Sequence, residues 1–280
     1  MLSRHDLTRR IAVSAIVICL VICLVLFAYQ PILRYGVVAL VALLSGVAIW
    51  EYDQFAKAKG GQMIFPALLT LTACEVLSFY AMICPCCKGL PLLVFFVGFL
   101  VLFALHFRQK DGAIVDLAVS TFGLIYIAVP FGMLLGILYL TPLSVGQDGR
   151  WWLSFLLVVT KITDIGAYFG GNLWGRRKLA PTISPKKTVE GAFFGLACAV
   201  GASFVLYKLC PGHLTTGEWV ILGLLLGTVG QFGDLSESLL KRDANKKDSN
   251  ALPGLGGVLD SVDSLLFNAP ILYIYLQYVK

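Results

Sequence analysis

Acidic side chains recur at helical spacing in the C-terminal half of this 280-residue sequence. Asp234, Glu237 and Lys241 follow one another at steps of three and four, which places them on one helix face. Asp260 and Asp263 are again three apart, so a short helix is expected to point both in the same direction. Carboxylates gathered in this way are typical ligands of hard divalent cations such as Mg²⁺.

Lysines and arginines accompany these acids in two segments. The segment 184–188, with sequence SPKKT, lies at the predicted entrance of a helix, where hydroxyls, ammonium groups and free backbone N–H groups suit phosphate oxygens. The second segment, residues 241–264, interleaves cations with aspartates and with Pro-Gly and Gly-Gly turns that allow close backbone approach to a ligand. The alternatives are a set of membrane-surface anchors for the first segment and a solvated loop of mixed charge for the second.

Two charges lie inside an apolar run, WWLSFLLVVTKITDIGAYFGG. Lys161 and Asp164 are three apart and share a helix face with Tyr168. A charge within a bilayer costs about 2.5–3.5 kcal/mol on insertion scales, which makes it a functional hypothesis by default. Either the two side chains only neutralise each other, or Asp164 lines a polar cavity near one end of the helix.

Together these groups predict phosphoryl-type chemistry at a membrane surface. Lysines and arginines would hold phosphates, while aspartates would hold Mg²⁺ that bridges to the phosphates of a substrate. A site at the end of the membrane-embedded helices is accessible to one lipid substrate and one soluble substrate.

The elements that position these residues are predicted to be transmembrane helices. Hydrophobic residues make up 58% of the chain and charged residues only 14%, with a mean hydropathy of +0.84, which excludes a disordered chain and an ordinary water-soluble enzyme. Without a soluble basic domain, nucleic-acid binding is not expected despite the net charge of +6. The apolar runs are 11–29, 31–50, 65–84, 90–106, 113–141, 151–170, 189–207, 218–239 and 264–279.

These runs predict an all-α, polytopic transmembrane helix bundle with about nine spans. The fifth run is long and contains Pro130, which predicts a kinked helix or a span followed by a re-entrant piece. With a cytoplasmic N-terminus, 16 of the 22 lysines and arginines fall on the inner side and five on the outer side. The predicted division is residues 1–150, of N-terminal transmembrane helices, and residues 151–280, a catalytic region with cytoplasmic loops 171–188 and 241–263.

The cysteines carry a weaker signal. Cys84, Cys86 and Cys87 cluster at a predicted helix end, where a metal site or a disulfide is conceivable. The sequence offers no second CxxC and no partner histidine, so the simpler expectation is that they have no special role.

Two motifs between residues 164 and 264 resemble the phosphatidate cytidylyltransferase family (CDP-diacylglycerol synthases). In that family an aspartate and Ala-Tyr precede Ser-Pro-Lys-Lys-Thr-x-Glu-Gly, and further on Ser-x-x-Lys-Arg-x(4)-Lys-Asp precedes Pro-Gly-His-Gly-Gly and Asp-Arg-x-Asp. The matching upstream residues are Asp164, Ala167, Tyr168, Ser184, Pro185, Lys186, Lys187, Thr188, Glu190 and Gly191. The matching downstream residues are Ser238, Lys241, Arg242, Lys247, Asp248, Pro253, Gly254, Gly256, Gly257, Asp260 and Asp263.

The resemblance implies a reaction of CTP with phosphatidate that yields CDP-diacylglycerol and pyrophosphate, with Mg²⁺ as cofactor. By analogy it also implies a homodimer. The lysine and arginine count predicts an active site on the cytoplasmic side, and a polytopic chain of this size fits a bacterial inner membrane. Asp234, Asp260 and Asp263 are the predicted metal ligands, and Asp164, Asp248 and Lys247 are the predicted catalytic residues. The predicted substrate-binding residues are Ser184, Lys186, Lys187, Ser238, Lys241 and Arg242.

The chain departs from the family pattern at three points. Leu255 replaces the usual histidine, Ser261 replaces the usual arginine, and the segment between Asp248 and Pro253 is one residue shorter. Nucleotidyl transfer depends mostly on positioning and charge neutralisation, so these changes are compatible with activity. The alternatives are an inactive relative, another membrane nucleotidyltransferase or CTP-using lipid kinase, and a transporter or lipid flippase, which would spread its polar residues at mid-membrane.

Overall fold

The computed structural model describes residues 19–107, 111–139, 148–246 and 257–279. Apolar stretches longer than a turn become helices because a helix satisfies every backbone hydrogen bond within the segment. Residues 19–26 are helical, and the helices that follow are α1 (Pro31–Ala58), α2 (Phe65–Ala81), α3 (Leu90–His106), α4 (Ala113–Leu138), α5 (Gly149–Trp174), α6 (Val189–Leu209), α7 (Glu218–Asp243) and α8 (Val258–Tyr278).

The all-α class predicted from the sequence is confirmed. Five of the helices, α1, α4, α5, α6 and α7, are long and apolar enough to cross a membrane, and α2 and α3 are shorter apolar helices. The protein is therefore a multi-pass membrane protein. Residues 11–18 of the first predicted run, 11–29, lie outside the described residues.

The long fifth run forms one helix with an irregular turn. Residues Leu124–Ala128 of α4 are π-helical, and Val129 donates its N–H to the carbonyl of Leu124. Pro130 follows at once, and its ring would collide with the carbonyl of the preceding turn in a regular α-helix. The wider π turn removes this conflict, so the run continues as one helix rather than as a span followed by a re-entrant piece.

The segments predicted as polar loops are more ordered than expected. In the segment 171–188, α5 continues through Trp174, and an antiparallel hairpin then forms from β1 (Lys178–Ala180) and β2 (Ser184–Thr188). In the segment 241–263, α7 continues through Asp243 and α8 begins at Val258, before the start of the predicted run 264–279. These extensions place the motif residues on regular elements.

Neighbouring helices run in alternating directions, so their ends form two groups. One group, here called the site end, holds the C-termini of α1, α5 and α7 and the N-termini of α2, α4, α6 and α8. The Gln62 N–H, between α1 and α2, donates to Asp116 at the start of α4 over 2.7 Å. At the opposite end, the Tyr29 hydroxyl donates to the carbonyl of Leu138, at the end of α4, over 3.0 Å.

The cations of the described residues divide between these two ends as the sequence predicted for the two sides of a membrane. Those at the opposite end are Arg34, Lys88, Arg150 and Lys208 in the described chain. Arg150 is paired with Asp148 at 2.7 Å. Burial alone would raise the pKa of Asp148, but the hydrogen bonds from Arg150 outweigh it and hold the pKa below its ordinary value.

Glycines allow the helices that carry the motifs to approach closely. The four glycines of α7 are Gly223, Gly227, Gly230 and Gly233. A methyl group at Gly223 would lie 2.9 Å from the Cα of Val200 on α6. A methyl group at Gly233 would lie 2.7 Å from the carbonyl oxygen of Asp263 on α8. The position of α8 relative to α7 therefore depends on Gly233.

Replacing Gly233 by alanine is expected to lower the thermal stability of the detergent-solubilised protein. The added methyl group must displace the backbone of α8, and overpacking of this kind costs about 1–3 kcal/mol. Gly201→Ala is the matched control, because a methyl group at Gly201 on α6 meets nothing within 4 Å. Equal melting temperatures for the two variants would contradict the predicted close packing of α7 and α8.

Candidate active site

The predicted site residues come from four elements that meet at the site end. The contributing elements are the C-terminal half of α5, the β1–β2 hairpin, the last turns of α7 and the first turns of α8. The predicted site residues that these elements carry are Asp164, Ser184, Lys186, Lys187, Asp234, Ser238, Lys241, Arg242, Asp260 and Asp263. Two predicted catalytic residues, Lys247 and Asp248, lie outside the described residues, as does Leu255.

Lys241 connects the end of α7 to the start of α8. Its Nζ donates to Asp260 Oδ1 over 2.7 Å and also pairs with Glu237, one turn earlier on α7. The Glu237 side chain has no exposed surface, so its charge depends on this lysine for compensation. Asp260 also accepts a longer hydrogen bond, 3.4 Å, from the Gly257 N–H. The helical stripe predicted from the sequence is thus real, and Glu237 is its buried member.

Lys187 connects the hairpin to α7. Its Nζ lies 2.7 Å from Asp234 Oδ2, while the neighbouring Lys186 is exposed to solvent. The hairpin is held in place by Glu190 on α6, whose carboxylate accepts hydrogen bonds from the N–H groups of Arg176 and Arg177 at 2.9 and 3.1 Å. One lysine of the motif is therefore held by an acid of the site and the other is available to a ligand.

Asp164 is paired, but it also belongs to a larger group of acids. Its carboxylate lies 3.7 Å from Lys161 Nζ and accepts a hydrogen bond from the Ser264 hydroxyl over 3.4 Å. Asp263 is close enough to Asp234 and Asp164 for the three carboxylates to repel one another electrostatically. Each of the two alternatives drawn from the sequence is therefore partly correct. Asp164 forms the ion pair with Lys161, and it does so at the edge of a polar site.

Asp260 and Asp263 do not act as a matched pair, although they are three residues apart. Asp260 contacts Lys241, whereas Asp263 is buried and lies among the acids of α5 and α7. Helix α8 therefore presents one carboxylate to the cation of α7 and the other to the acidic group.

The donor set fits a hard divalent cation. Asp164, Asp234 and Asp263 supply oxygen ligands and an excess of negative charge that Lys161 and Lys187 offset only in part. The oxygens are not gathered as tightly as in a formed coordination shell. In the described part of the chain, the only three potential ligand atoms within 4.8 Å of one another are the sulfurs of Cys84, Cys86 and Cys87.

The remaining polar residues of the motifs lie around this centre. Arg242 donates from Nε to the carbonyl of Ile183 over 3.1 Å, which ties the end of α7 to the hairpin turn. Ser184 and Ser238 are half-buried. Ser261, where the family usually has arginine, accepts a hydrogen bond at its carbonyl from Lys161 Nζ over 3.1 Å. Lys161 thus places a positive charge beside Ser261.

The backbone donors at the helix entrances are already occupied. At the start of α6, the Val189 N–H donates to the Arg177 carbonyl and the Gly191 N–H donates to the Thr188 hydroxyl. At the start of α8, the N–H groups of Val258 and Leu259 donate to a side chain of α1. Two of the free N–H donors expected at the SPKKT motif, those of Val189 and Gly191, are therefore used within the protein.

The side chain that caps α8 is Glu51, which the sequence analysis did not identify. Its two carboxylate oxygens accept hydrogen bonds from the Val258 and Leu259 N–H groups over 2.8 and 2.7 Å, and only 1% of the residue is exposed. Glu51 thereby fixes the first turn of the helix that carries Asp260 and Asp263. The available signal was an acid directly after the apolar run 31–50.

Acids and lysines gathered at one end of a multi-pass helical bundle suit the transfer of phosphate-bearing groups at a membrane surface. The chain belongs to the cytidylyltransferase family, whose sequence profile matches residues 8–279. A phosphatidate cytidylyltransferase of Chlamydia pneumoniae is 34% identical, over 97% of this chain and 92% of its own length. One from Synechocystis sp. is 35% identical, over 85% of this chain and 87% of its own. A shorter match, 40% identical over 46% of this chain and 50% of the relative, is to a phosphatidate cytidylyltransferase of Staphylococcus epidermidis.

Proposed function

We propose that this protein is a phosphatidate cytidylyltransferase of phospholipid biosynthesis, which converts CTP and phosphatidate to CDP-diacylglycerol and pyrophosphate. The observation that carries the proposal is the match to the cytidylyltransferase family over nearly the whole chain. The convergence of Lys187, Asp234, Lys241 and Asp260 from separate elements at one end of the bundle supports it further.

In this reaction a phosphate oxygen of phosphatidate attacks the α-phosphorus of CTP, and the bond to the β-phosphate breaks to release pyrophosphate. Lys186, Lys187, Lys241 and Arg242 bind the phosphates and neutralise the charge that develops on them. Lys247 and Asp248 are proposed to complete the site, and the hydroxyls of Ser184 and Ser238 donate hydrogen bonds to substrate. These groups position the two phosphates for an in-line displacement.

We propose Mg²⁺ as the cofactor, held by Asp234 and Asp263 of the acidic group, with Asp164 nearby, and by Asp260 once its carboxylate is released from Lys241. When bound, the ion offsets the negative charge of the triphosphate. In the arrangement described above, Lys187 and Lys241 neutralise Asp234 and Asp260. Both lysines would exchange a carboxylate for a phosphate as the ion and the nucleotide bind.

We propose further that the site end faces the cytoplasm of a bacterial inner membrane and that the protein acts as a homodimer. The cation-rich site end supports this orientation, because cytoplasmic segments carry an excess of lysine and arginine. A site at this surface is accessible to CTP, which is a soluble nucleotide. It is also accessible to phosphatidate, whose phosphate lies in the lipid headgroup region.

The test is an assay of the purified protein in mixed micelles that contain phosphatidate. Supplied with CTP and Mg²⁺, it is expected to release pyrophosphate and to form CDP-diacylglycerol in equal amounts. Lipid phosphates with other backbones, and ATP in place of CTP, serve as competing substrates. Transfer of the CTP γ-phosphate to a lipid would instead identify a CTP-dependent lipid kinase, and no turnover with any pair would contradict a transferase function.

Replacing Lys186 by alanine is expected to raise the KM for a phosphate-bearing substrate about tenfold, equivalent to roughly 1.4 kcal/mol of binding. The melting temperature should hardly change, because the Lys186 side chain is exposed. Lys178→Ala is the matched control, since Lys178 is an exposed lysine on the other strand of the same hairpin. Unchanged KM values for both substrates in Lys186→Ala would refute the proposed role.

A further inference from the structure

The opposite end of the bundle carries a cluster of thiols that the transferase chemistry does not use. Between α2 and α3, residues Pro85–Cys87 form a 3-10 turn that Cys84 precedes. The Cys87 N–H donates to the Cys84 carbonyl over 2.9 Å, which closes the turn and fixes the spacing of the three cysteines. Pro85, at the first position of the turn, limits the backbone further.

The three sulfurs are close enough to share one ion. Cys84 Sγ lies 2.8 Å from Cys86 Sγ, and Cys86 Sγ lies 3.6 Å from Cys87 Sγ. All three sulfurs lie within 4.8 Å of one another. A metal–sulfur bond of about 2.3 Å requires sulfurs roughly 3.8 Å apart in a tetrahedral site, so small side-chain rotations suffice to form one.

The environment of these three cysteines differs from that of the cysteines within the apolar helices. A cysteine within an apolar helix behaves as a small hydrophobic residue, as at Cys74 on α2. The cluster instead lies at a helix end, next to Lys88, with Cys84 and Cys86 exposed. An ion can therefore enter from water, and packing gives no reason for three adjacent sulfurs at this place.

We propose that Cys84, Cys86 and Cys87 form a binding site for a thiophilic d¹⁰ metal ion, Zn²⁺ or Cu⁺, at the end of the bundle opposite the acidic site. Thiolates select such soft ions over the hard cation expected at the carboxylates. Three sulfurs complete a trigonal site for Cu⁺, whereas Zn²⁺ adds water as a fourth ligand. Each thiol releases its proton on binding, so the affinity rises with pH.

The test uses the full-length protein in detergent. Its thiols are first reduced, and the reductant is then removed under anaerobic conditions. Cd²⁺ serves as a spectroscopic substitute for Zn²⁺ through its thiolate charge-transfer absorption, and a chromogenic Cu⁺ chelator reports Cu⁺ by competition. One ion per chain is expected to bind. The variant with Cys84→Ser, Cys86→Ser and Cys87→Ser should lose this binding, while a control variant with Cys19→Ser, Cys23→Ser and Cys74→Ser should retain it.

Two results would overturn the proposal. One is binding that the triple substitution in the cluster leaves unchanged. The other is a disulfide between two of the clustered cysteines in protein alkylated in intact membranes before any reduction, because an oxidised pair cannot bind the ion. A folding defect is recognised by comparing the elution profile and the melting temperature of the two triple variants. The binding readout does not depend on turnover, so its outcome is independent of the proposed function.

Discussion

Replacing Asp260 by asparagine is expected to reduce CDP-diacylglycerol formation by about 100-fold or more, with normal insertion into the membrane. Asparagine keeps the size of the side chain and removes its charge. Lys241 pairs with two acids in the structure, Asp260 and Glu237, and only Glu237 would keep its charge. The site also loses one of the carboxylates proposed to hold Mg²⁺. The measurement is steady-state turnover over a range of Mg²⁺ concentrations, where a weakened apparent affinity for the ion is expected.

Asp243→Asn is the matched control for this experiment. Asp243 lies at the same end of the bundle and also pairs with a lysine, Lys59, at 2.8 Å, but its side chain is 63% exposed. Its substitution should leave turnover close to that of the wild type, because an exposed ion pair contributes little. Turnover of Asp260→Asn that matched Asp243→Asn would remove Asp260 from the proposed metal site.

Replacing Glu51 by glutamine is expected to impair activity almost as strongly, although Glu51 lies far from the motifs in the sequence. Glutamine offers one carbonyl oxygen in place of two carboxylate oxygens, and its amide group would face a backbone N–H of α8. Losing a buried hydrogen bond to a charged group costs about 1.5–3 kcal/mol. The first turn of α8 should loosen, which lowers both the melting temperature and kcat.

Glu75→Gln separates this positioning effect from the general effect of changing a buried acid. Glu75 is 2% exposed on α2, and its Oε2 has no hydrogen-bond partner among the described residues. Neutralising it should be tolerated, because an unpaired buried charge is unfavourable. If Glu51→Gln and Glu75→Gln gave the same turnover and the same Mg²⁺ dependence, Glu51 would have no special role in positioning α8.

The sequence predicted the parts of the site that depend on local spacing. The stripe of Asp234, Glu237 and Lys241 follows from helical periodicity, and the structure confirms that it lies on the last turns of α7. The partners of these residues depend on helix packing, which spacing alone does not report. The Lys187–Asp234 pair joins a hairpin to a helix 47 positions away, and the separation of Asp260 from Asp263 depends on which helices flank α8.

The hairpin and the cap of α8 were missed for physical reasons. The strands are only three and five residues long and contain lysine and proline, so they lack the alternation of apolar residues that marks a strand. The Val258 and Leu259 N–H groups donate to a carboxylate more than 200 residues earlier in the chain. Because the donors are backbone groups, the side chains of Val258 and Leu259 give no sign of this contact. The orientation of the bundle, the homodimer, the Mg²⁺ ion and the roles of the site residues stay predictions.

The hydrogen bonds between Glu51 and α8 limit how this protein can be divided or recombined with its relatives. A fragment that begins after residue 150 would carry every motif residue and still leave the first turn of α8 without its acceptor, exposing two N–H groups inside the protein. Exchanging N-terminal halves between relatives should preserve function only where the donor supplies an acid at the position of Glu51. The apolar half of the chain is thus a structural part of the active site as well as an anchor in lipid.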